Sequence, residues 1–274
     1  MQYDLFSQPK YKFFSLGSGS SGNCYYLGSK EYGILIDAGI GIRTIKKTLR
    51  EYGVSFESIV GILITHDHAD HIKTVGCLGA KHNIPVYTTE AVHGGIQRSR
   101  YIDADLYQSR RIINKEIPFD IRNFRVTAFE VPHDSIENVG YHIEFDGQIF
   151  VLVTDIGCLT DKIHHFAKRA NHLVIETNYD ETMLKNGRYP YYLKQRITSG
   201  MGHISNRLSA EFIANIYSEK MKNVWLCHLS QDNNYPELAY NAVKDALSSK
   251  GVNVGIDIKL EALSRYKTSG LREF

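Results

Sequence analysis

The sequence predicts an α/β protein in which buried strands form a sandwich. The first observation is a series of short apolar, β-branched runs of the kind that form fully buried strands. The second is that amphipathic helical segments separate many of these runs. The third is that several runs end on a histidine or an aspartate, so one edge of a sandwich would gather these side chains. Because the chain has no internal repeat, low-complexity tract or linker, residues 1–274 are predicted to form one domain.

The composition is ordinary for a globular protein, with 43% hydrophobic and 23% charged residues. The formal net charge of +2 by itself indicates neither a nucleic acid nor a membrane partner. No apolar run is long enough to span a bilayer, and Met1–Tyr11 lacks the apolar core of a signal peptide. The four cysteines include no Cys-x-x-Cys pair. We therefore expect a cytoplasmic protein with reduced cysteines and no membrane partner.

In the first half of the chain, strands are predicted at Lys12–Leu16, Cys24–Leu27, Gly33–Asp37, Val60–Ile64 and Pro85–Tyr87. Thr44–Tyr52 is predicted to be a helix because Ile45 and Leu49 recur at helical spacing. Ile72–His82 is predicted to be a second helix, and Arg98–Arg111 an irregular segment.

The glycine-rich loop after the first strand, Gly17-Ser-Gly-Ser-Ser-Gly22, matches the dinucleotide-binding fingerprint literally. That fingerprint requires a helix after the loop, because the pyrophosphate lies at a helix N-terminus. Here the strand-like segment Cys24–Leu27 follows instead. We therefore predict no nucleotide cofactor, and a hairpin connection whose glycines allow positive φ and close approach.

In the second half, strands are predicted at Phe124–Val131, Tyr141–Phe145, Gln148–Thr154, His172–Thr177, Val224–His228 and Val252–Leu260, and helices at Leu159–Lys168, Asn206–Tyr217 and Pro236–Ser248. Asp146-Gly147 indicates a tight hairpin turn between two of these strands. Ser205 is placed to cap the helix that starts at Asn206.

The segment Thr65–His71 carries three imidazoles and two carboxylates directly after a buried strand. Such a group is costly to bury unless a cation neutralises and orients it. On extended chain, His66 and His68 point the same way and suit one ion. Asp70 and His71 follow a turn later and suit a second ion.

Four more polar residues also stand at the ends of predicted strands: Asp37, His133, Asp155 and His228. Asp37 lies one strand before the histidine cluster. We predict that its carboxylate does not bind a metal but hydrogen-bonds a ligand histidine.

In this order, Asp37, the cluster His66–His71, His133, Asp155 and His228 resemble the five motifs of the metallo-β-lactamase fold superfamily. The resemblance covers nearly the whole chain. It implies a four-layer αβ/βα sandwich of two mixed sheets flanked by helices. It also implies a ligand set, with the first ion on His66, His68 and His133, the second on Asp70, His71 and His228, and Asp155 bridging both.

Such a centre implies a metal-dependent hydrolase that uses a hydroxide bridging two divalent ions. Histidine-rich ligation favours zinc, while the carboxylates leave manganese or iron open. The site remains net cationic with its ions bound and is expected to attract an anionic group such as a phosphodiester.

A finer resemblance rests on Glu176-Thr-Asn178-Tyr-Asp180, Tyr189–Ile197 and Gly202–Asn206, together with Ser18–Asn23. These segments are similar to the YycJ (WalJ)-like branch of the superfamily, which implies a 5′-exonuclease with a DNA substrate.

Asp70 and His203 are predicted to be catalytic, because His203 precedes the helix cap Ser205 and could meet a phosphate at that helix N-terminus. Substrate binding is predicted for Lys194, Arg196 and Ser205, because a nuclease of near-neutral net charge must concentrate positive charge locally. His203 can act as a substrate ligand or leaving-group acid, or it can be a structural or surface histidine. The interval between Asp155 and His228 is too short for the inserted β-CASP domain of RNA-cleaving relatives.

Two other classes of function remain open at this point. One is a thioesterase or lactonase of the glyoxalase II type, in which the ions would polarise a carbonyl. The other is a non-catalytic DNA-repair or signalling partner that keeps its metal for folding. Activity on thioesters without activity on phosphodiesters would identify the first. A ligand variant that keeps its fold and its cellular function would identify the second.

Overall fold

Two seven-stranded mixed sheets, with helices on their outer faces, make up the computed structural model, which describes residues 10–274. Most of the N-terminal segment in which no signal peptide was predicted lies outside the described residues.

The first sheet has the strand order β14-β1-β2-β3-β4-β5-β6. Its strands are β1 (Tyr11–Gly17), β2 (Cys24–Ser29), β3 (Gly33–Ile36), β4 (Ile59–Leu63), β5 (Val86–Thr88), β6 (Arg110–Ile112) and β14 (Ser269–Glu273). The pairings from β14 to β3 are antiparallel and those from β3 to β6 are parallel.

The second sheet has the strand order β13-β12-β11-β10-β9-β8-β7. Its strands are β7 (Phe119–Ile121), β8 (Phe124–Glu130), β9 (Val139–Phe145), β10 (Gln148–Val153), β11 (His172–Glu176), β12 (Asn223–Cys227) and β13 (Lys259–Ala262). The pairings from β13 to β10 are parallel and the remainder are antiparallel. Both sheets are therefore mixed, as predicted.

The α-helices are α1 (Ile42–Glu51), α2 (Ala69–Ile72), α3 (Glu90–Arg98), α4 (Asp161–Ala167), α5 (Glu181–Asn186), α6 (Tyr191–Ile197), α7 (Asn206–Ile216) and α8 (Pro236–Ser248). A short 3₁₀ helix spans Phe56–Ser58, and a π-helical segment spans Cys77–Lys81.

The core consists of three buried layers, because both faces of each sheet are covered. Between the sheets, Phe13 of β1 packs on Trp225 of β12 with ring centroids 4.3 Å apart. The next residue along β1, Phe14, points to the opposite face, as strand geometry requires, and packs with Leu49 of α1. On the far side of the second sheet, α4, α7 and α8 cover the other outer layer. The predicted four-layer sandwich is confirmed.

Two predicted elements differ from the structure. The helix predicted at Ile72–His82 is divided in the structure: α2 begins earlier, at Ala69 inside the histidine cluster, and ends at Ile72, and a π-helical segment follows at Cys77–Lys81. The strand predicted at Val252–Leu260 is wrong over most of its length, and only Lys259–Ala262 pairs as β13. The preceding residues form a turn in which Asp257 accepts hydrogen bonds from Asn253.

Across residues 10–274, no helix combines the length and apolarity that crossing a membrane would require.

Candidate metal centre

The predicted ligands converge at the edge of the sandwich where β3, β4, β8, β10 and β12 end. Each follows one of these strands directly or within a few residues: His66, His68, Asp70 and His71 after β4, His133 after β8, Asp155 after β10 and His228 after β12. Ring nitrogens and carboxylate oxygens from these side chains form overlapping groups, within each of which all atoms lie within 4.8 Å of one another.

The backbone turns sharply at three strand ends of this edge, at the ligands Asp155 and His228 and at Asp37, which follows β3. Asp37, Asp155 and His228 have φ values of +58°, +53° and +53°. Residues other than glycine rarely adopt this left-handed conformation, which costs about 1–3 kcal/mol.

The first group of donors is His66, His68 and His133. The Nδ1 atom of His133 hydrogen-bonds the carbonyl oxygen of Gly202 at 3.0 Å, which leaves Nε2 free to face the group. The Nε2 atom of His66 is buried and has no hydrogen-bond partner. Burial lowers the pKa of both of these imidazoles, so they are neutral, the form that binds metal.

The second group is Asp70, His71 and His228. The Nε2 atom of His71 lies 3.5 Å from Asp70 Oδ2, and the Nε2 atom of His228 lies 3.6 Å from the same oxygen. Asp155 lies between the two groups, with Oδ2 3.3 Å from His71 Nε2 and Oδ1 3.7 Å from His133 Nε2. One carboxylate therefore reaches members of both groups.

The electrostatics of the second group favour a bound cation. Burial opposes protonation of His71 and His228, yet the surrounding carboxylates outweigh it. Asp37 and Asp70 raise the pKa of His71 well above its usual value, and Asp155 is the main cause that raises the pKa of His228 to about 10. Without a metal, protons on the imidazoles would neutralise these carboxylates. A divalent cation supplies the same positive charge, and the buried Nε2 atom of His228, which has no hydrogen-bond partner, offers it a lone pair once the ring loses its proton.

Asp37 lies behind the centre, and it belongs to none of the donor groups. Its carboxylate accepts hydrogen bonds from the Thr65 N–H at 2.9 Å and from the Thr65 hydroxyl. Its Oδ2 is also 2.7 Å from His71 Nδ1, a contact that keeps His71 Nε2 facing Asp70. The position is the one expected of a residue that orients a ligand histidine, and its effect on metal affinity stays a prediction.

Glu176 at the end of β11 is a site residue to which the sequence reasoning assigned no role. It is fully buried, and its Oε1 lies 2.7 Å from His203 Nδ1 and 3.0 Å from His228 Nδ1. Its Oε2 accepts the backbone N–H of Ile156 at 2.7 Å. Burial opposes ionisation of Glu176, but His203 and His228 hold its pKa below the usual value. The signal that would have revealed it is its place at a strand end, like Asp37 and Asp155.

His203 lies next to both donor groups, with its ring centroid 5.2 Å from those of His133 and His228. Its side chain is 21% exposed, and it lines a cleft of about 170 Å³ together with Arg196 and Ser20. Burial opposes protonation of His203, but Glu176 and then Asp155 raise its pKa. With Nδ1 held by Glu176, its Nε2 is the atom left for a substrate.

The three predicted substrate-binding residues occupy different surroundings. The Arg196 guanidinium donates through Nε to Asp134 at the mouth of the cleft. The Lys194 ammonium donates to the carbonyl oxygens of Lys185 and Gly187, each at 2.7 Å, and does not line the cleft.

Ser205 is buried, and its hydroxyl caps α7 by accepting the N–H of Leu208 and donates to Glu181. Its capping role is as predicted. Substrate contacts by all three residues stay predictions, and the geometry favours Arg196.

Comparison with known proteins shows to which family this chain belongs. The family model of the Beta-lactamase superfamily domain matches residues 32–228. Exodeoxyribonuclease YycJ of Bacillus anthracis is 35% identical over 246 residues, which cover 89% of this chain and 91% of that protein. Exodeoxyribonuclease WalJ of Streptococcus pneumoniae is 34% identical over 254 residues, covering 93% of this chain and 94% of that protein.

Among solved structures, the metallo-β-lactamase fold protein YhfI from Bacillus subtilis superimposes with a TM-score of 0.71 at 19% identity, covering 98% of this chain and 100% of that one. That likeness concerns the fold alone. The family implies divalent metal binding, for which the described residues provide the donor groups. The chain belongs to the metallo-β-lactamase fold superfamily, in a YycJ-like branch, and is a metallohydrolase.

Proposed function

We propose that this protein is a DNA exonuclease that hydrolyses phosphodiesters from a 5′ end with the help of two divalent ions. The observation that carries the proposal is the pair of donor groups joined by Asp155, next to a cleft that holds His203 and Arg196. The relatives named exodeoxyribonucleases, aligned over about nine tenths of the chain, support DNA as the substrate class.

His66, His68 and His133 would hold one ion, and Asp70, His71 and His228 the other, with Asp155 shared. When bound, two such ions supply a hydroxide at neutral pH and a positive clamp for the attacking and leaving oxygens. Imidazole-rich ligation favours Zn²⁺, and the carboxylates suit Mn²⁺ or iron as well.

His203 is the group proposed to give a proton to the leaving oxygen. Its Nδ1 is directed at the buried Glu176 carboxylate, which fixes the ring and leaves Nε2 on the cleft side. The raised pKa of His203 keeps a proton available near neutral pH. Glu176 orients His228 through the same oxygen, so one carboxylate positions a metal ligand and the proton donor together.

Arg196 is proposed to bind a phosphate beside the reacting one. Its Nε donates to Asp134, and its two terminal nitrogens have no hydrogen-bond partner among residues 10–274. A planar guanidinium with two free N–H₂ groups suits a phosphate, which it can contact with two parallel hydrogen bonds.

The direct test is metal analysis followed by digestion of end-labelled nucleic acids. We expect two divalent ions per chain after repletion, and release of mononucleotides from the 5′ end of DNA. Single-stranded DNA, double-stranded DNA, RNA and a glutathione thioester should be compared under the same conditions. A single ion per chain, or hydrolysis of the thioester with none of DNA, would refute the proposal.

A His203→Ala variant tests the proton donor separately. Its kcat on DNA should fall by about 10²–10⁴-fold, the usual contribution of a general acid. Its metal content should equal that of the wild type, because both donor groups are complete without His203. Wild-type turnover in this variant would show that another group protonates the leaving oxygen.

A further inference from the structure

The glycine-rich loop that follows β1 is fixed beside the second donor group. The backbone N–H of Asn23 donates to the carbonyl oxygen of Asp70 at 2.8 Å, and its Nδ2 lies 2.9 Å from His71 Nε2. The Ser18 hydroxyl accepts the backbone N–H of His228 at 3.0 Å. The loop therefore contacts all three members of this group.

A tight turn at the tip of the loop exposes two serines. The N–H of Gly22 donates to the carbonyl oxygen of Gly19 at 2.9 Å, so Ser20 and Ser21 occupy the corner of the turn. Both serines are exposed, and Ser20 lines the cleft that also holds His203. Their hydroxyl groups have no hydrogen-bond partner within residues 10–274. The turn therefore offers two hydroxyl groups to a ligand of the cleft.

Arg265, in the loop between β13 and β14, packs against the same turn. A methyl group on Gly19 would lie 2.6 Å from Arg265 Cγ, so the stem of the arginine fits only because this residue is a glycine. The Nη1 atom of Arg265 donates to the carbonyl oxygen of Leu229 at 3.2 Å. Leu229 lines the cleft and directly follows His228 in the chain. The arginine is therefore anchored next to a predicted metal ligand.

The charge of Arg265 has no counter-ion in the part of the chain that the structure describes. Its side chain is half-buried, and it forms no ion pair with any of residues 10–274. Burial lowers the pKa of Arg265, and Tyr266 and then Asp232 offset this only in part. The Asp232 carboxylate instead accepts the hydroxyl of Tyr189 at 2.9 Å. Because a half-buried charge without a counter-ion is unfavourable, an anionic ligand is the natural partner of this guanidinium.

Arg196 occupies the corresponding place beside the first donor group. Its guanidinium donates to Asp134, which directly follows His133, just as Arg265 donates to the residue after His228. Each donor group therefore has one arginine anchored to the residue after one of its histidines. A DNA strand that lies across both groups carries a phosphate on either side of the reacting one, so the two arginines suit different phosphates.

We propose that Arg265 and the Ser20–Ser21 turn bind a second non-reacting phosphate of the DNA substrate, on the side of Asp70, His71 and His228. The inference rests on the proposed nuclease function and deepens it, because it assigns a subsite for the substrate. The phosphate oxygens accept hydrogen bonds from the unused guanidinium nitrogens and from the serine hydroxyls. This phosphate is either the 5′-terminal phosphate or an internal phosphodiester, since both present the same anionic oxygens.

The test pairs the removal of a charge from the protein with the removal of a charge from the DNA. Arg265→Met keeps a stem that packs on Gly19 and removes the charge, whereas Arg265→Lys keeps the charge. Arg125→Met is the matched control, because Arg125 pairs with Asp120 at the start of β8, the end of that strand remote from His133. The substrates are the DNA that the wild type cleaves, the same DNA with a 5′-hydroxyl end, and copies with one internal phosphate replaced by a neutral methylphosphonate.

For the wild type and the Arg125 control, neutralising or removing the phosphate bound at Arg265 should lower kcat/KM by about 10-fold to 100-fold, the range for a hydrogen bond to a charged group. Arg265→Met should lose a similar factor on unmodified DNA and show no further loss when that phosphate is changed. Insensitivity to the 5′-hydroxyl end would identify the terminal phosphate, and insensitivity to one methylphosphonate an internal one. Arg196→Ala should become insensitive at a different position.

The salt dependence of DNA binding gives a second readout. In chelator, so that no cleavage occurs, Arg265→Met should reduce the slope of log K against log salt concentration by about 0.7–0.9, the contribution of one phosphate contact. Arg265→Lys should keep the wild-type slope. If Arg265→Met does not fold, the double variant Ser20→Ala, Ser21→Ala replaces it, and its response should be reduced at the same phosphate.

The outcomes separate this inference from the proposed function. If the wild type cleaves no DNA, the nuclease proposal itself fails. If the wild type cleaves DNA but Arg265→Met responds to the loss of every phosphate as the wild type does, the subsite is refuted and the nuclease stands. If Arg265→Met and Arg196→Ala become insensitive at the same phosphate, the two arginines share one ligand, and the inference of a second phosphate is overturned.

Discussion

The substitution Glu176→Gln tests whether one buried carboxylate organises both the metal centre and the proton donor. The carboxylate faces four donors: the Nδ1 atoms of His203 and His228, and the backbone N–H groups of Ile156 and Ile204. Glutamine keeps the shape of the side chain but has one oxygen and one N–H₂ group. Whichever way the amide is turned, its N–H₂ group meets two N–H donors.

The size of the effect follows from these contacts. Hydrogen bonds to a charged group contribute about 1.5–3 kcal/mol each, so losing the hydrogen bonds that His203 and His228 donate to Glu176 is costly. The alternative is a change of tautomer that moves the proton of His228 from Nδ1 to Nε2, the atom that would bind the metal. Either route should lower the affinity of the Asp70, His71 and His228 group for its ion by about 10–100-fold, the usual effect of removing a partner of a ligand histidine. Turnover should fall by at least about 10²-fold, because His203 loses its orientation as well.

The assay is metal titration in competition with a chromophoric chelator, together with kcat on single-stranded DNA at saturating metal. The affinity for the ion of the second group should fall, and the affinity for the ion of the first group should stay unchanged. The reason is that, within residues 10–274, the first group (His66, His68 and His133) makes no hydrogen bond to Glu176. Glu181→Gln is the matched control, since Glu181 is an exposed carboxylate that bonds Ser205 and Arg207. Wild-type affinity for both ions with full turnover in Glu176→Gln would refute the reasoning.

Three further predictions use other parts of the structure. Asp37→Asn should weaken metal binding by about 10–100-fold, as measured by calorimetry, because His71 Nδ1 loses its carboxylate partner. Arg196→Ala should weaken DNA binding and reduce the slope of log K against log salt concentration by about 0.7–0.9. Lys194→Ala should leave the slope unchanged, because its ammonium is used by backbone carbonyls. Equal slopes in these two variants would contradict the assignment. Burial lowers the pKa of His142 from 6.5 to about 4, so the unfolded chain binds a proton first as the pH falls. The free energy of unfolding should therefore fall as the pH is lowered from about 6.5 to 4. In urea titrations at the two pH values, this fall should be smaller by roughly 1–3 kcal/mol in His142→Gln than in the wild type.

The strand ends could be predicted because their signal is local. A buried strand is visible as an apolar run, and the polar residue that follows it needs no knowledge of the rest of the chain. The hairpin at Asp146-Gly147 was predictable for the same reason, and both residues have the positive φ of such a turn, +43° and +74°. Parallel strands from β10 to β13 then bring distant strand ends to one edge.

The cleft beside the metal centre could not be predicted in this way. Helix α6 has only seven residues, too few for a helical repeat to stand out, and its exposed tyrosines interrupt any apolar stripe. The contacts that place it, such as the pairing of Arg196 with Asp134, join residues 62 positions apart. The prediction for Lys194 rested on its charge, whereas the structure shows that a lysine near a helix end can be used by carbonyl oxygens.

The three residues with left-handed backbone at this edge of the sandwich are held by contacts within the protein. Each left-handed residue is held by a backbone hydrogen bond that involves no metal. The N–H of Asp37 donates to Leu63, the N–H of His228 donates to the Ser18 hydroxyl, and the carbonyl oxygen of Asp155 accepts from Asn138. These bonds, made by the packed sheets, offset a conformation that would otherwise relax. We therefore expect the strand ends to keep their positions when the metal is removed with a chelator, because none of these three hydrogen bonds involves a metal ligand atom. Loss of the near-ultraviolet circular dichroism spectrum on chelation would show instead that the ion orders this edge of the sandwich.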